Sequence, residues 1–467
     1  MLKTDTAQEK KDRKMMRDSR RVFVAGTGKS GISAAKMILR MGGEVVLYNS
    51  NAETDTAAVL QHFEAGDAVE FIRGPLYPSQ TRGVTLAVIS PGIPLTADFV
   101  RVLDAQKIPI IGELELAYQA SKGKLAAITG TNGKTTTTAL VGAILKKQYE
   151  DVHIVGNIGN PFAAEALDTK EESASVVEVS SFMLETIADF HPNVAAILNI
   201  TPDHLDRHGS MENYIRCKEA ITMNQTEDDY LILNFDDEEL RRFGQSEDVK
   251  AKVIWFSSRH QPSEGLYLED DAIFLRENGT TTQVVDVHEL QLLGRHNYEN
   301  IMAGIAVGLK MGVPLLKVIE AIKAFQAVEH RIEFVRERCG VKYYNDSKGT
   351  NPDAAIQALN AMPGPTILIA GGYDKHSEYD DWVKLFPGKV KYLVLLGQTR
   401  DKISACCRKY GFTEIMYAED MDEAVKAAAS YADVGDYVLL SPACASWGMF
   451  DNYEQRGRIF KDCVRAL

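Results

Sequence analysis

The 467-residue chain has no C-x-x-C pair and only six cysteines, at positions 217, 339, 406, 407, 444 and 463. This argues against a disulfide framework or a structural zinc site, and it fits a reducing compartment. No apolar run approaches 18 residues, so the sequence predicts no membrane span. The first 21 residues mix Lys, Arg, Asp and Glu without an apolar stretch, which excludes a secretory signal peptide. Residues 1–20 read as a solvated tail, and the expected location is the cytoplasm. Positive charge is in deficit, with 52 Lys+Arg against 65 Asp+Glu and a net charge of −13. A general nucleic-acid binder needs Lys and Arg to neutralise phosphate, so that class is disfavoured. An anionic small molecule held by a local site remains compatible with the charge. Apolar residues are 45% and charged residues 25%, which excludes a disordered or collagen-like chain. The length allows two to four domains with ample core.

What is present is a repeated strand–glycine–helix grammar. Arg21–Gly26 is a strand, Gly26-x-Gly28-x-x-Gly31 a turn, and an apolar helical set follows before a second strand at Glu44–Asn49. This is a βαβ unit opening a parallel sheet. Val84–Ser90 reads as another buried strand. A second pattern starts at Lys124–Thr129, with further strands at Ser175–Val179, Val194–Asn199, Tyr230–Asn234 and Val253–Phe256. Residues 257–290 alternate strand-like runs with turns, and Glu277-Asn278-Gly279 signals a hairpin. Asn297–Met311 reads as a helix. A third pattern has strands at Val341–Asn345, Pro365–Ala370, Val390–Leu396 and Asp436–Ser441, with a helix capped at Asn351-Pro352-Asp353. The expected fold class is α/β in three consecutive domains. These are a Rossmann-like domain over 1–112, a central P-loop α/β domain over 113–327 and a C-terminal Rossmann-like domain over 328–467.

Five places carry chemistry. The first glycine turn can cradle a diphosphate on backbone N–H groups. A dinucleotide-dependent oxidoreductase would end the second strand in an acid, but Asn49-Ser50 stand there. A bare turn and another diphosphate ligand, such as a UDP-sugar, stay open. The second loop, Thr129-Gly130-Thr131-Asn132-Gly133-Lys134-Thr135-Thr136, is sharper. It is a shortened variant of the phosphate-binding loop, with Ile128 where the strict pattern has Gly. Lys134 can meet the β/γ-phosphates, and the Thr135 and Thr136 hydroxyls can reach phosphate or Mg²⁺. Glu178, near the end of a buried strand, is costly unless paired or metal-bound. Thr201–His208 clusters polar groups after a strand, and His204 and His208 have i,i+4 spacing but no evident third zinc ligand. Arg331 and Asp346 can act on phosphate and ribose or make an interdomain ion pair. Cys444 has no adjacent base and reads as a packed small residue.

These motifs together resemble the Mur ligase family of ATP-dependent amide-forming enzymes of peptidoglycan synthesis, over about residues 21–467. Gly130–Thr136, Glu178, His204, Gly294–Asn300, His330-Arg331 and Asn345–Asn351 fall in the family's order. Ser90–Ile93, Val179–Phe182, Ser441–Ser446 and Asn452–Gly457 are similar to the members that add D-glutamate to UDP-N-acetylmuramoyl-L-alanine. The resemblance implies an acyl-phosphate intermediate, ATP, two Mg²⁺ ions and a monomer. It implies that Gly130, Thr131, Asn132, Gly133, Lys134, Thr135, Thr136, Asn297, Asn300, Arg331 and Asp346 meet ATP. Thr135, Glu178 and His204 would be Mg²⁺ ligands, and Lys218 a fourth if carbamylated. Lys134, Glu178, His204 and Lys218 would be the catalytic set. Gly28, Lys29, Ser30, Asn49, Ser50, Gly92, Asn157 and Ser180 would hold the UDP substrate. Lys348, Thr350, Lys375, Ser446 and Tyr453 would hold D-glutamate. The alternatives are another amino-acid-adding or folylpolyglutamate-type ligase and a noncatalytic nucleotide-binding module. Met183 departs from the family, where Gln commonly follows Ser-Ser-Phe. Gly448-Met449 also departs, replacing the commoner Asp-Gln.

Overall fold

Short β-branched runs become strands, and the glycines that end them turn the chain into helices. The computed structural model describes residues 21–326, 329–375 and 377–467. The tail read over 1–20 and the joint expected at 327/328 lie outside the described residues.

The first sheet contains β1 (Arg21–Ala25), β2 (Glu44–Asn49), β3 (Val69–Arg73), β4 (Leu86–Ile89) and β5 (Ile110–Gly112). Its order is β3-β2-β1-β4-β5, with every pairing parallel. Parallel strands are covered on both faces, which is why β1 and β4 read as unbroken apolar runs. The order reverses between β1 and β4, so their carboxyl ends open the crevice where α/β sheets bind ligands.

The second sheet contains β6 (Lys124–Thr129), β7 (Val152–Gly156), β8 (Ala174–Glu178), β9 (Val194–Ile197), β10 (Tyr230–Asn234), β11 (Lys252–Ser257), β12 (Gly265–Glu269), β13 (Ala272–Glu277) and β14 (Thr280–Asp286). The order is β14-β13-β12-β11-β10-β9-β6-β8-β7, parallel from β7 to β12. Asn278 and Gly279 both have positive φ between β13 and β14, as a two-residue primed turn requires.

The third sheet contains β15 (Glu333–Arg338), β16 (Val341–Asn345), β17 (Thr366–Ala370), β18 (Val390–Leu395), β19 (Ile415–Tyr417) and β20 (Tyr437–Leu440). Its order is β15-β16-β20-β17-β18-β19, with only the β15 edge antiparallel. Asn351 caps the helix Pro352–Ala361 as its sequence indicates, its side chain accepting from Ala354 N–H at 2.8 Å. The helix expected over Asn297–Met311 spans Arg295–Lys310.

The chain forms two compact units. One runs to Val285 and includes Glu299–Ile322; the other comprises Asp286–Tyr298 and Lys323–Leu467. Within the first, the helix Glu113–Ala120 ties the first two sheets together. The Glu115 carboxylate is fully buried and accepts the N–H groups of Ala188, Asp189 and Phe190 at 2.8–3.0 Å. Glu113 accepts from Ala163 N–H at 2.6 Å. Met37, Ile38, Leu116, Ala117, Phe162 and Val177 share one apolar core. Among the described residues no helix is long and apolar enough to cross a membrane, and all six cysteines are free.

Candidate functional site

At the end of β6 the chain must turn sharply and start a helix with its N–H groups exposed. Gly130 at φ +149° and Gly133 at φ +84° make that turn, and the helix Lys134–Leu145 begins with no side-chain cap. A helix start of this kind favours a bound anion. The loop is braced by residues distant in sequence. Asn199 accepts from Asn132 N–H at 2.8 Å and donates to its carbonyl at 3.2 Å. The Thr131 hydroxyl lies 3.1 Å from the Tyr214 hydroxyl and accepts from Thr201 N–H at 3.0 Å. Asn300 is buried beside Gly133; a Cβ at Gly133 would come within 2.2 Å of its side-chain oxygen.

Two lysines converge on this loop. Lys134 Nζ donates to the carbonyls of Gly130 (2.9 Å) and Thr131 (2.8 Å). Lys218 Nζ donates to the same Gly130 carbonyl at 2.7 Å and lies 4.6 Å from the Tyr214 ring. Lys218 is 1% exposed. Burial pushes its ammonium down to about 7, and the charge of Lys134 adds to the effect. A substantial share of Lys218 is therefore a neutral amine near neutral pH.

Glu178 ends β8 at 1% exposure. Its Oε1 accepts from Asn157 Nδ2 at 2.9 Å, while Oε2 is buried without a partner. An orphaned carboxylate oxygen beside a phosphate-type loop suits a hard divalent cation, which takes oxygen ligands. Thr135 is half-buried at the helix start. His204 is exposed, at φ +52°, with its ring 5.0 Å from Phe182. Phe182 in turn stacks on His208, and His208 packs on Tyr214. Ser180 caps the helix Ser181–Leu184, accepting from Met183 N–H at 3.4 Å. Met183 itself is 4% exposed and belongs to the apolar core, so this chain packs the position.

At the β1/β4 crevice, Gly28 precedes the helix Lys29–Arg40. A Cβ on Gly31 would come within 1.9 Å of the Gly26 carbonyl, so the turn closes only with glycine there. Lys29, Ser50 and Gly92 are exposed and Ser30 is half-buried. Asn49 donates to the Thr27 hydroxyl at 2.7 Å and accepts from Asn51 N–H at 2.9 Å. The Ser90 hydroxyl is buried with no partner at this turn.

In the second unit, Asp346 follows β16 and accepts from the Ser441 hydroxyl at 2.8 Å. Burial raises its carboxyl to about 7, opposed by Ser441 and by the charge of Arg331. Asn297 is buried and donates to the Leu293 carbonyl at 2.7 Å. His330 and Ile332, which flank Arg331, both have positive φ, a strained backbone for a β-branched residue. Lys348 Nζ lies 5.3 Å over the Tyr453 ring, and Lys375 Nζ lies 5.2 Å over the Trp447 ring. Ser446 is buried, and Thr350 is half-buried. The Arg456 guanidinium organises this end of the sheet. It is 1% exposed and donates to the Ser347 hydroxyl, the Ser347 carbonyl and the Cys444 carbonyl at 2.7–3.1 Å. Burial also pushes the Cys444 thiol up, which suits packing rather than nucleophilic attack. Asn199 emerges only here as a group that shapes the sites; Tyr214 stands in the Tyr214-x-x-x-Lys218 spacing, and Ser441 and Arg456 in the Ser441–Ser446 and Asn452–Gly457 stretches, without a role assigned from sequence. Of their signals, the Tyr214–Lys218 spacing is the clearest, because i,i+4 residues share a helix face.

The sequence matches the family description "Mur ligase MurD-like, N-terminal domain" over residues 20–112. It matches "Mur ligase middle domain" over 128–308 and "Mur ligase, glutamate ligase domain" over 330–444. A UDP-N-acetylmuramoylalanine–D-glutamate ligase of Lachnospira eligens is 52% identical over 96% of this chain and 98% of its own. The enzyme of the same name from Lachnoclostridium phytofermentans is 50% identical over 96% and 98%. Among solved structures, MurF from Acinetobacter baumannii superposes with a TM-score of 0.61 at 16% identity, covering 98% of both chains. UDP-N-acetylmuramate-alanine ligase MurC from Thermotoga maritima gives 0.59 at 20% identity, covering 96% of this chain and 99% of that one. These two likenesses bear on the fold.

Proposed function

The chain belongs to the Mur ligase family, and on that premise we propose that it joins D-glutamate to UDP-N-acetylmuramoyl-L-alanine at the expense of ATP, in the cytoplasmic synthesis of peptidoglycan precursor. The observation that carries this reading is the shared activity, along nearly the whole chain, of relatives at half identity. The alanyl carboxylate attacks the γ-phosphorus of ATP and ADP leaves. The D-glutamate amine then attacks the acyl phosphate, loses a proton and expels phosphate, leaving an amide. No enzyme nucleophile is needed, so positioning and charge neutralisation carry the catalysis.

In this reading the N–H groups of Gly130–Thr136 and the Lys134 ammonium hold the ATP phosphates. Asn297, Asn300, Arg331 and Asp346 are the further nucleotide contacts. Thr135, Glu178 and His204 would hold two Mg²⁺ ions, which when bound neutralise phosphate charge. The partnerless Glu178 Oε2 supports this. The lowering of the Lys218 ammonium by burial supports its uptake of CO₂ as the amine with loss of a proton, which would yield a carbamate oxygen ligand. Gly28, Lys29, Ser30, Asn49, Ser50, Gly92, Asn157 and Ser180 would bind the UDP-muramoyl substrate. Lys348, Thr350, Lys375, Ser446 and Tyr453 would bind D-glutamate, two ammonium groups suiting a dicarboxylate. We assign the three domains to 1–112, 113–327 and 328–467, and the working state to a monomer.

The test is phosphate release with ATP, Mg²⁺ and UDP-N-acetylmuramoyl-L-alanine across candidate amino acids. Release with D-glutamate alone is expected. Release with L-lysine or diaminopimelate in its place would overturn the assignment.

A further inference from the structure

We propose that Glu185, His208 and Cys217 form a binding site for one thiophilic divalent cation of the zinc class, separate from the Mg²⁺ ligands. The sequence pairs His208 with His204 at i,i+4, but the fold pairs it elsewhere. One ligand atom each from Glu185, His208 and Cys217 lies within 4.8 Å of the other two. The three come from different segments. Glu185 follows the helix Ser181–Leu184, His208 ends the helix Leu205–His208, and Cys217 lies in the helix Met211–Glu219.

A second observation points to an ion. His208 is 7% exposed and its Nε2 lies 3.0 Å from the Ser181 hydroxyl. Its Nδ1 faces Glu185 Oε1 at 3.6 Å, beyond hydrogen-bond reach. In the tautomer whose Nε2–H donates to Ser181, the Nδ1 lone pair lies on the Glu185 side. Metal-ligating histidines are held in this way, one nitrogen fixed by an outer partner and the other free to ligate. Arg207 holds both Glu185 oxygens, Oε2 at 2.6 Å and Oε1 more loosely at 3.4 Å, so Oε1 is the oxygen a cation takes over from the weaker bond. The cage must tighten somewhat, because bonds of about 2.0–2.3 Å put tetrahedral ligands about 3.4 Å apart. Side-chain rotation of the half-buried Cys217 and Glu185 supplies that movement. Binding releases the thiol proton as the sulfur–metal bond forms. Thiolate and imidazole select zinc, cobalt or cadmium over Mg²⁺, so millimolar Mg²⁺ does not compete.

The test is titration of the full-length protein with Co²⁺ in excess Mg²⁺, followed by near-ultraviolet thiolate-to-cobalt absorption. One equivalent should produce the band, and Zn²⁺ should abolish it. Cys217→Ala should remove the band and weaken Zn²⁺ binding at least about tenfold, with the fold intact by circular dichroism. Glu185→Gln, which leaves the thiol in place, should weaken binding but retain the band. No band in the wild type, or an unchanged band in Cys217→Ala, would overturn the proposal. The readout is independent of ligase activity, so the site and the ligase reading can fail separately.

Discussion

The first and second sheets each end a central strand in a glycine turn that starts a helix, yet the two turns need glycine for different reasons. In the first, space and conformation act together: a Cβ on Gly31 would strike the Gly26 backbone, and Gly26 itself sits at φ +108°. In the second, the limit is backbone conformation, with Gly133 at φ +84° and a flexible Asn300 side chain as the contact. Their surroundings differ more. The first turn leaves Lys29 exposed to solvent. The second is wrapped by Asn199, Tyr214, Lys134 and Lys218. One local grammar therefore serves a solvent-exposed turn in the first case and a charged, braced cradle in the second.

The largest expected effect tests the cradle. Lys134→Ala should lower turnover by about 10³-fold or more, because charge stabilisation at the transferring phosphoryl group is lost. The melting temperature should stay near wild type, since the Lys134 bonds to Gly130 and Thr131 are local. Retained turnover would remove Lys134 from the cradle and make the two turns equivalent. Lys218→Ala comes next, with turnover falling about 10²-fold and partial rescue by added short carboxylates. Full unaided activity in this variant would refute the carbamate reading.

Legibility in the sequence followed burial. Apart from β12 and β13, which pair antiparallel and showed only as alternating runs around a hairpin signal, each interior strand of the three sheets could be read from its apolar run, because parallel strands are covered on both faces. The five strands that could not be read, β3, β5, β7, β15 and β19, are all sheet edges. β5 and β19 have three residues each, and β15 reads Glu-Phe-Val-Arg-Glu-Arg. Short, charged edges protect a sheet from further pairing and erase its periodic signal. The sites divide in the same way. Gly130–Thr136 is contiguous and declares itself. The Arg456 bonds to Ser347 span 109 residues, and Lys218 reaches Gly130 across 88. Neither contact has a local spacing to reveal it. Glu185, His208 and Cys217 were hidden for the same reason, with i,i+4 spacing suggesting His204 instead.

A smaller effect tests the first turn. Gly31→Ala should destabilise the protein by about 1–3 kcal/mol through overpacking against Gly26. It should raise the KM for the UDP-muramoyl substrate several-fold and leave those for ATP and D-glutamate near wild type. An equal rise in the KM for ATP would mean that the two turns are coupled, not separate sites on adjacent sheets.

The smallest effect concerns the helix between the two sheets. Glu113 is 1% exposed, and burial raises its carboxyl from 4.5 to about 7, opposed only partly by the Ala163 N–H. Between those values the folded protein binds the proton more tightly than the unfolded chain. Stability from this group is therefore full below pH 4.5, falls as pH rises through 7, and stays lost above it. Glu113→Gln keeps an acceptor for Ala163 and never has to bury a charge. The variant should melt above wild type at pH 8, by no more than on the order of 3 kcal/mol, with the gap closing towards pH 5. Thermal unfolding across that range reads the effect. A gap independent of pH would mean that Glu113 is ionised in the fold and that the joint between the two turns is held by a buried charge.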